Sequence, residues 1–430
     1  MRIVLFTHGT RGDVAPIVSL GWHLSKGGHE VTVAVPGEFR EFAERAGLRT
    51  APLPFDLMAW LRTAEGQRLL HSGGIPFIRG LTREYDRRAA SFDEAYEAAA
   101  HGAEAVVGNH VTGDRAMALG DAMGIPMAIF FPYPLTPSRE YASLTLTKGR
   151  LRSDPLCMAS HELNHRLWWR QVAPQVNDFR GGLGLPPSPQ PTYRRLMKPD
   201  HLVLYSLSAS IFPRPSDWPA HCRVTAPWRL PEALRADLDE GLPADLEDWL
   251  DAGSPPVFLG FGSMPVLDPG PLLDDIAAVT EALGCRAIVS ENCVPGGAGG
   301  ALPSHLRSVG AVDHDRLFPR CAAVVHHGGI GSVATSLGAG RPTMVCSVFA
   351  DQPWWGEHMK RLGVGAHVPF RKLDRRLLES GLRTALEPDV VRRSAALGEA
   401  IRAEGDGLPA AARTLEDWLR APGRETAPAV

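Results

Sequence analysis

The residues whose types and spacing suggest chemistry lie in two glycine-rich turns, one near each end of the chain. The first turn, residues 7–16, reads THGTRGDVAP and carries His8 and Asp13. The second, residues 326–332, reads HHGGIGS. Imidazole and carboxylate groups can exchange protons, whereas glycines that precede a helix leave backbone N–H groups open to an anion. The two turns therefore suggest two kinds of site.

Strands and a helix are predicted around the second turn. Residues 322–325 form a short apolar run that predicts a buried strand, and a helix is expected to open near Ser332. A second apolar run, residues 343–348, leads to Asp351 and Gln352. Because parallel strands end at the same edge of a sheet, both loops should line one crevice. The glycines match neither GxGxxG nor a loop followed by Lys-Ser/Thr, so they do not define the ligand alone.

The paired His326 and His327 allow other interpretations. A metal site and a packed pair of core side chains are the alternatives to an anion contact. Adjacent residues on a strand point to opposite faces, so the two rings cannot easily bind one ion.

The first turn also follows a predicted strand, residues 3–6, and leads into a helix that continues to Leu24. The next strand, around residues 31–33, brings no acid suited to a nicotinamide ribose. The pattern therefore does not favour a dehydrogenase.

Three motifs carry a resemblance to a known family. HHGGxGS followed about twenty residues later by ADQ resembles the donor-binding signature of nucleotide-sugar glycosyltransferases. GTRGDVxP looks like the opening motif of sterol glucosyltransferases and antibiotic-tailoring (glycopeptide- and macrolide-type) enzymes, and DQPWW resembles the DQPFW of the sterol enzymes. The resemblance is to the UDP-glycosyltransferase superfamily. It implies an α/β fold of the GT-B type, with two Rossmann-like doubly wound domains facing a central cleft.

The resemblance also implies donor-binding residues. By position, His327 would contact the diphosphate, and Asp351 with Gln352 would bind the sugar hydroxyls. The other implied donor contacts are Gly12, the phosphate-facing Ser263, the backbone at Val312 facing the base, and Gly329, Gly331 and Ser332 cradling the diphosphate.

Asp13 is, by the same match, the candidate general base. An ordinary carboxylate is a weak base, so partial desolvation would have to raise its pKa. Its alternative role is to cap the helix that follows. His8 is the rival base. His110 and Asp114 could orient the base or the acceptor, or be plain loop and cap residues.

The acceptor site is expected among aromatic residues of the amino-terminal half and beside the donor loop. Tyr133, Trp168 and Trp355 are the candidates, although aromatic residues at such spacing are more often ordinary core. We expect a bulky lipophilic alcohol, either a sterol or another natural product.

The sequence thus predicts an inverting, metal-independent glycosyltransferase that moves a hexose, with glucose favoured, from a UDP- or TDP-sugar. The nucleotide sugar is a substrate, and neither a cofactor nor a metal is expected. A nucleotide-sugar epimerase and a non-catalytic auxiliary protein are the alternatives.

Composition narrows the classes of protein and the cellular locations that we expect. The chain has 430 residues, a net charge of −3 and scattered arginines, so nucleic-acid binding is not indicated. Six cysteines without CxxC spacing suggest reduced thiols in a cytoplasmic protein. No run approaches 18 apolar residues, so we expect no membrane span, while peripheral membrane contact stays open.

We expect an acceptor domain in residues 1–215, a linker in residues 216–240 and a donor domain in residues 241–410. The last helix, within residues 411–430, is expected to cross back to the first domain.

Overall fold

Two parallel β-sheets organise the chain. The computed structural model describes residues 1–72, 74–147, 149, 151–237, 242–262, 266, 268–295 and 302–421. The chain divides into two compact units, each defined by the contacts within it. The first comprises Met1–Trp60, Ile75–Asp237 and Glu404–Val430, and the second comprises Leu61–Gly74 and Leu238–Ala403.

The first unit holds a seven-stranded sheet of order β3-β2-β1-β4-β5-β6-β7, in which all neighbours are parallel. Its strands are β1 (Arg2–Phe6), β2 (Glu30–Pro36), β3 (Arg49–Leu53), β4 (Ala105–Asn109), β5 (Met127–Phe131), β6 (Leu202–Ser206) and β7 (Cys222–Thr225). The strand predicted at 3–6 is confirmed. β7 lies within the segment expected to be a linker, so the first unit extends beyond residue 215.

Helices of the chain up to residue 237 are α1 (Arg11–Lys26), α2 (Arg40–Arg45), α3 (Leu57–Arg62), α4 (Ala64–Ser72), α5 (Gly74–Arg87), α6 (Ala89–Ala100), α7 (Gly113–Met123), α8 (Asp154–Gly182), α9 (Thr192–Arg195) and α10 (Glu232–Asp237). The chain breaks between α5 and α6. Arg88 stands at the break with φ −113° and ψ 11°, and its guanidinium binds Glu84.

The second unit holds a six-stranded sheet of order β10-β9-β8-β11-β12-β13, which is also parallel throughout. Its strands are β8 (Val257–Gly260), β9 (Ala287–Ser290), β10 (Leu306–Val309), β11 (Ala323–His326), β12 (Thr343–Ser347) and β13 (Gly365–Pro369). Its later helices are α11 (Ala244–Asp251), α12 (Pro269–Ala282), α13 (His314–Leu317), α14 (Ile330–Gly338), α15 (Gln352–Leu362), α16 (Arg375–Ala385) and α17 (Pro388–Ala403).

The last helix, α18 (Leu408–Arg420), belongs to the first unit. It packs on α1, and Glu416 lies 3.3 Å from the His29 imidazole. A side chain at Gly407 would overlap the backbone of Ala226, so the chain enters α18 in close contact with the segment after β7.

Both sheets reverse their strand order once. In the first sheet the chain moves from β1 to β2 and β3 and then places β4 on the other side of β1. In the second it moves from β8 to β9 and β10 and then places β11 on the other side of β8. In open α/β sheets, ligands bind beyond the carboxyl ends of the strands at such a switch point. The expected α/β class with two Rossmann-like sheets is confirmed.

Apolar strands covered on both faces form the two cores, as parallel sheets require. β1 is buried from Ile3 to Phe6, and β8 and β11 are buried throughout. No helix within the described residues is both long and apolar enough to cross a lipid bilayer. All six cysteines are free thiols.

Candidate active site

The Asp13 carboxylate is fixed at the switch point of the first sheet. Asp13 lies in the first turn of α1, and its Oδ2 accepts hydrogen bonds from the backbone N–H of Thr10 at 2.7 Å and from the Thr10 hydroxyl at 3.1 Å. Gly9 has a φ of +130°, and a Cβ there would overlap the Asp13 carboxylate. The turn therefore needs glycine at position 9 for both its backbone conformation and its space.

His110 lies beside this carboxylate. It follows β4, the neighbour of β1, and its Nδ1 is 3.9 Å from Asp13 Oδ1, with each side chain 17% exposed. Within the described residues, this buried Nδ1 has no hydrogen-bond partner. Burial lowers the pKa of His110, although the charge of Asp13 opposes the shift. The site therefore pairs a neutral imidazole with a carboxylate that has one oxygen held and the other facing the ring.

Tyr133 extends this group. It follows β5, and its ring meets the edge of the His110 ring with centroids 5.2 Å apart. One of the predicted acceptor contacts thus lies next to the candidate base.

His8 does not fit the role of rival base. Its ring is 1% exposed, Nε2 is 2.7 Å from the Phe55 carbonyl oxygen, and Nδ1 is 2.7 Å from the Tyr85 hydroxyl. The carbonyl requires Nε2 to donate, so Nδ1 accepts from Tyr85, and both nitrogens are occupied. Burial lowers the pKa of His8 to about 4. His8 is thus buried with both ring nitrogens in use, which favours a structural role over that of a rival base.

Asp114 lines a small cavity next to His110. Trp168, Thr192 and Tyr193 line the same cavity. Burial raises the pKa of Asp114, while hydrogen bonds with Thr192 and Trp168 oppose the shift. Trp168 is half-buried and is held in the cavity wall by this bond.

The second switch point is built around the His327 ring. The ring fills space that two glycines leave free, because a Cβ at Gly262 or at Gly329 would lie within 3.0 Å of it. Burial lowers the pKa of His327 to about 4, so the ring is neutral at ordinary pH. Within the described residues, its buried Nδ1 has no hydrogen-bond partner. Ser263, the expected phosphate contact after β8, lies outside the described residues.

His326 has a structural role distinct from that of His327. Its Nδ1 accepts a hydrogen bond from the backbone N–H of Gly328 at 2.9 Å, and its Nε2 lies 3.4 Å from the Ser336 hydroxyl. The rings of His326 and His327 are 6.3 Å apart and nearly perpendicular. His326 therefore stabilises the glycine turn through hydrogen bonds, whereas the His327 ring packs against its glycines.

The amino end of α14 completes this turn. The helix begins at Ile330, with Gly329 as its N-cap, two residues before the expected start near Ser332. The N–H groups of a first helical turn have no intrahelical partner. A Cβ at Gly331 would meet no atom within 4 Å, so open space lies in front of these groups. The positive end of the helix dipole favours an anion there.

Asp351 and Gln352 lie at the end of the neighbouring strand β12 and are 7% and 6% exposed. Gln352 Oε1 accepts hydrogen bonds from the backbone N–H groups of Val348 at 2.8 Å and Phe349 at 3.2 Å. Ala350 has a φ of +55°, which is strained for a residue with a side chain. The loop is thus held in a strained shape that fixes both polar side chains.

Trp355 supports this loop from inside. Its indole N–H donates to Asp351 Oδ2 at 2.7 Å, and its side chain is 0% exposed. A fully buried ring has no surface to offer an acceptor, so this position favours a supporting role for Trp355 over the expected acceptor contact. The side chain of Val312 also lies in the core, although its predicted contact involved only the backbone.

Two polar residues that sequence reasoning missed lie after β9. Asn292 Nδ2 donates to the carbonyl oxygen of Gly262 at 2.9 Å, which fixes the turn beside His327. The Glu291 carboxylate is exposed and lies 3.3 Å from the position of a Cβ at Gly310. The only sequence signal was their place after an apolar strand that neighbours β8.

Comparisons with known proteins agree with this geometry. Residues 3–119 match the glycosyltransferase family 28 N-terminal domain, and residues 279–411 match the erythromycin biosynthesis protein CIII-like C-terminal domain. An O-mycaminosyltylonolide 6-deoxyallosyltransferase of Streptomyces fradiae is 35% identical over 97% of both chains. A sterol 3-beta-glucosyltransferase of Arabidopsis thaliana is 32% identical over 96% of this chain and 67% of its own.

Solved structures give the same fold. The calicheamicin glycosyltransferase CalG4 superposes with a TM-score of 0.69 at 17% identity, covering 98% of this chain and 99% of its own. The spinosyn rhamnosyltransferase SpnG, bound to spinosyn aglycone, gives 0.64 at 20% identity, covering 97% and 100%. The chain therefore belongs to the GT-B glycosyltransferases that include macrolide-tailoring enzymes and a sterol glucosyltransferase, which confirms the resemblance found in its motifs.

Proposed function

We propose that this protein is an inverting, metal-independent glycosyltransferase that moves a hexose from a nucleoside diphosphate sugar to a hydroxyl group of a lipophilic acceptor. The observation that carries the proposal is the fixed Asp13 carboxylate beside the Nδ1 of His110, which has no hydrogen-bond partner among the described residues. In this assignment the first unit binds the acceptor and the second binds the nucleotide sugar.

Asp13 is the proposed general base. Its Oδ1 and the His110 Nδ1 are too far apart for a direct hydrogen bond, yet one oxygen atom at about 2.8 Å could contact both. An acceptor hydroxyl in that position donates its proton to Asp13 and accepts a hydrogen bond from a neutral His110 that carries its proton on Nδ1. Tyr133, at the edge of the same ring, and Trp168, across the Asp114 cavity, would contact the acceptor skeleton.

The transfer is a single displacement. The acceptor oxygen forms a bond to the anomeric carbon as the bond from that carbon to the diphosphate oxygen breaks, and Asp13 keeps the proton. The departing diphosphate gains negative charge, which the N–H groups of Ile330, Gly331 and Ser332 and the dipole of α14 stabilise. Neutral His327 adds one N–H donor, and Ser263 and Gly12 would supply the remaining contacts. Attack from the face opposite the leaving group inverts the anomeric configuration.

Asp351 and Gln352 are the proposed sugar contacts. Gln352 Oε1 accepts hydrogen bonds within its own loop, so its amide N–H groups and the Asp351 carboxylate, which Trp355 positions, are the groups that could reach hydroxyls. The backbone at Val312 and the Glu291 carboxylate lie at the edge proposed for the nucleoside.

The donor and acceptor classes follow from the relatives. Their names cover 6-deoxyallosyl, rhamnosyl and glucosyl transfer, and three solved structures of similar fold hold thymidine diphosphate. UDP-glucose and TDP-glucose are therefore the first donors to test, and TDP-6-deoxyhexoses follow. Macrolide aglycones and sterols are the first acceptors.

Product analysis tests the proposal. The protein is incubated in EDTA with each donor, with and without the acceptor panel, and products are identified by mass spectrometry and proton NMR. Because UDP-glucose and TDP-glucose carry α linkages, a β-glucoside formed only with acceptor is expected from them. A product that keeps the anomeric configuration of its donor would contradict inversion, and a strict requirement for a divalent cation would contradict metal independence. A new nucleotide sugar formed without acceptor would indicate epimerisation instead.

A further inference from the structure

Exposed apolar side chains are concentrated on one part of the first unit. Among the described residues, eight large apolar side chains are exposed, and six of them lie on α8, just before it, or on α5 beside it. Leu156, Leu163 and Leu167 on α8 are 51%, 52% and 52% exposed, and Ile78 on α5 is 48% exposed. We refer to these four residues as the α8 face.

The α8 face is continuous. Leu156, Leu163 and Leu167 are spaced by seven and four residues, so at about 100° per residue they fall within a narrow stripe of the helix. Gln175 on α8 donates to Asp86 on α5 at 2.5 Å, and Gln171 donates to Thr82 one turn earlier. One further turn back places Ile78 beside Leu167, so α5 widens the stripe. Apolar clusters of this kind commonly mark a contact surface.

Positive charge surrounds the α8 face. The segment from Leu146 to Arg170 contains five basic and two acidic residues, a net charge of +3 in a chain whose total is −3. Arg166 and Arg170 are exposed on α8, and Arg152 is exposed just before the helix begins. Glu162 is shared by Arg166 at 2.7 Å and Arg194 at 2.6 Å, so one carboxylate faces two guanidinium groups. The region is therefore both apolar and cationic.

We propose that the α8 face binds the surface of a membrane that contains anionic lipids. Leucines would enter the boundary between headgroups and acyl chains, and the arginines would contact lipid phosphates, as in helices that lie flat on bilayers. A second copy of the chain fits less well, because two-fold packing would set the same arginine-rich rim against itself. The inference does not depend on the proposed transfer reaction, since the face lies on helices outside the Asp13 and His327 sites.

Vesicle sedimentation tests this inference. The full chain is mixed with vesicles of phosphatidylcholine alone or of phosphatidylcholine and phosphatidylglycerol in equal parts, at low and high sodium chloride. Binding to the anionic vesicles that weakens with salt is expected. The pair Leu163→Glu with Leu167→Glu should weaken binding about 100-fold. The pair Arg152→Gln with Arg170→Gln should weaken it about 25-fold.

Met123→Glu is the matched control, because Met123 is exposed on α7 and not on α5 or α8. Its binding should equal that of the wild type, and thermal melting of each variant checks that it is folded. Failure to bind either vesicle would overturn the inference, as would equal, salt-insensitive binding to both. Self-association that the leucine variant abolishes, without vesicle binding, would assign the face to a second copy and also overturn it.

Discussion

The two switch points have the same topology and opposite chemistry. In the first unit, the turn after β1 holds a carboxylate against an imidazole, which can bind and accept a proton. In the second, the turn after β11 holds a neutral imidazole and the amino end of a helix, whose N–H groups can donate hydrogen bonds to an anion. The fold therefore supplies the place, and a few residues in each turn decide what is bound there.

Glycines show the same contrast. Gly9 leaves room for the Asp13 carboxylate, while Gly262 and Gly329 leave room for the His327 ring. In both units, glycines leave the space that one candidate functional side chain occupies. Changing these glycines or side chains should impair proton acceptance in the first unit and anion binding in the second.

Gly9→Ala should reduce kcat about 100-fold, because displacement of the Asp13 carboxylate by the new methyl group misplaces the base. Gly47→Ala is the control, since Gly47 also has a positive φ, of +74°, but a Cβ there meets no atom within 4 Å. Steady-state kinetics with saturating donor measure the effect. Equal losses in the two variants would attribute the effect to backbone strain alone and remove the argument about Asp13.

His327→Ala should weaken binding of the nucleoside diphosphate about tenfold or more, because a hydrogen bond to a charged group is lost. Isothermal titration calorimetry with UDP and TDP measures the dissociation constant. Asp13→Asn serves as the comparison from the other unit and should leave this constant within twofold. A larger loss of nucleotide affinity in Asp13→Asn than in His327→Ala would break the division of roles between the two switch points.

Trp355→Phe should raise the KM for the nucleotide sugar about fivefold while leaving the affinity for the free nucleoside diphosphate unchanged. The smaller phenyl ring keeps an aromatic side chain at this position, but the hydrogen bond that positions Asp351 is lost. Trp228→Phe removes an indole hydrogen bond of the same length, 2.7 Å, in the first unit and should leave this KM unchanged. Similar effects of both variants on KM would show that Trp355 acts through general stability.

The buried histidines should make both units less stable in acid. His8 and His327 each have a pKa lowered by burial to about 4, whereas the ordinary value is 6.5. Above pH 6.5 they are neutral in the folded and unfolded chain alike. As the pH falls from 6.5 towards 4, only the unfolded chain binds the protons. The free energy of unfolding should then fall by up to about 1.4 kcal/mol per pH unit for each histidine.

Thermal melts at pH 7 and pH 5 measure this effect. His8→Gln keeps one donor and one acceptor but cannot titrate, so its melting temperature should fall less between these pH values than that of the wild type. An identical fall in both proteins would contradict the assignment of His8 as a neutral core residue.

Local sequence was enough to locate both turns. The apolar runs before Thr7 and His326 predicted buried strands, and the glycines after them predicted anion-accessible turns. Asp351 and Trp355 are also four residues apart on one helix, so their contact could have been anticipated from spacing alone.

Contacts between distant segments could not be predicted. Asp13 and His110 meet because β4 is placed beside β1, and nothing local to either residue specifies that order. The burial of His8 depends on Phe55 and Tyr85, which come from two other segments. The helices between residues 57 and 87 were also missed, because glycines and Pro76 interrupt the apolar pattern there.

The most direct test of the central claim is single-turnover transfer by Asp13→Asn, measured alongside calorimetric binding of the nucleoside diphosphate. The account predicts transfer slower by about 100- to 10,000-fold with nucleotide affinity unchanged, because only the base is removed. Asp93→Asn is the control, since Asp93 is similarly exposed and pairs with Arg115 away from the turn. Transfer within a few-fold of the wild type would contradict the assignment of Asp13 and with it the contrast between the two units.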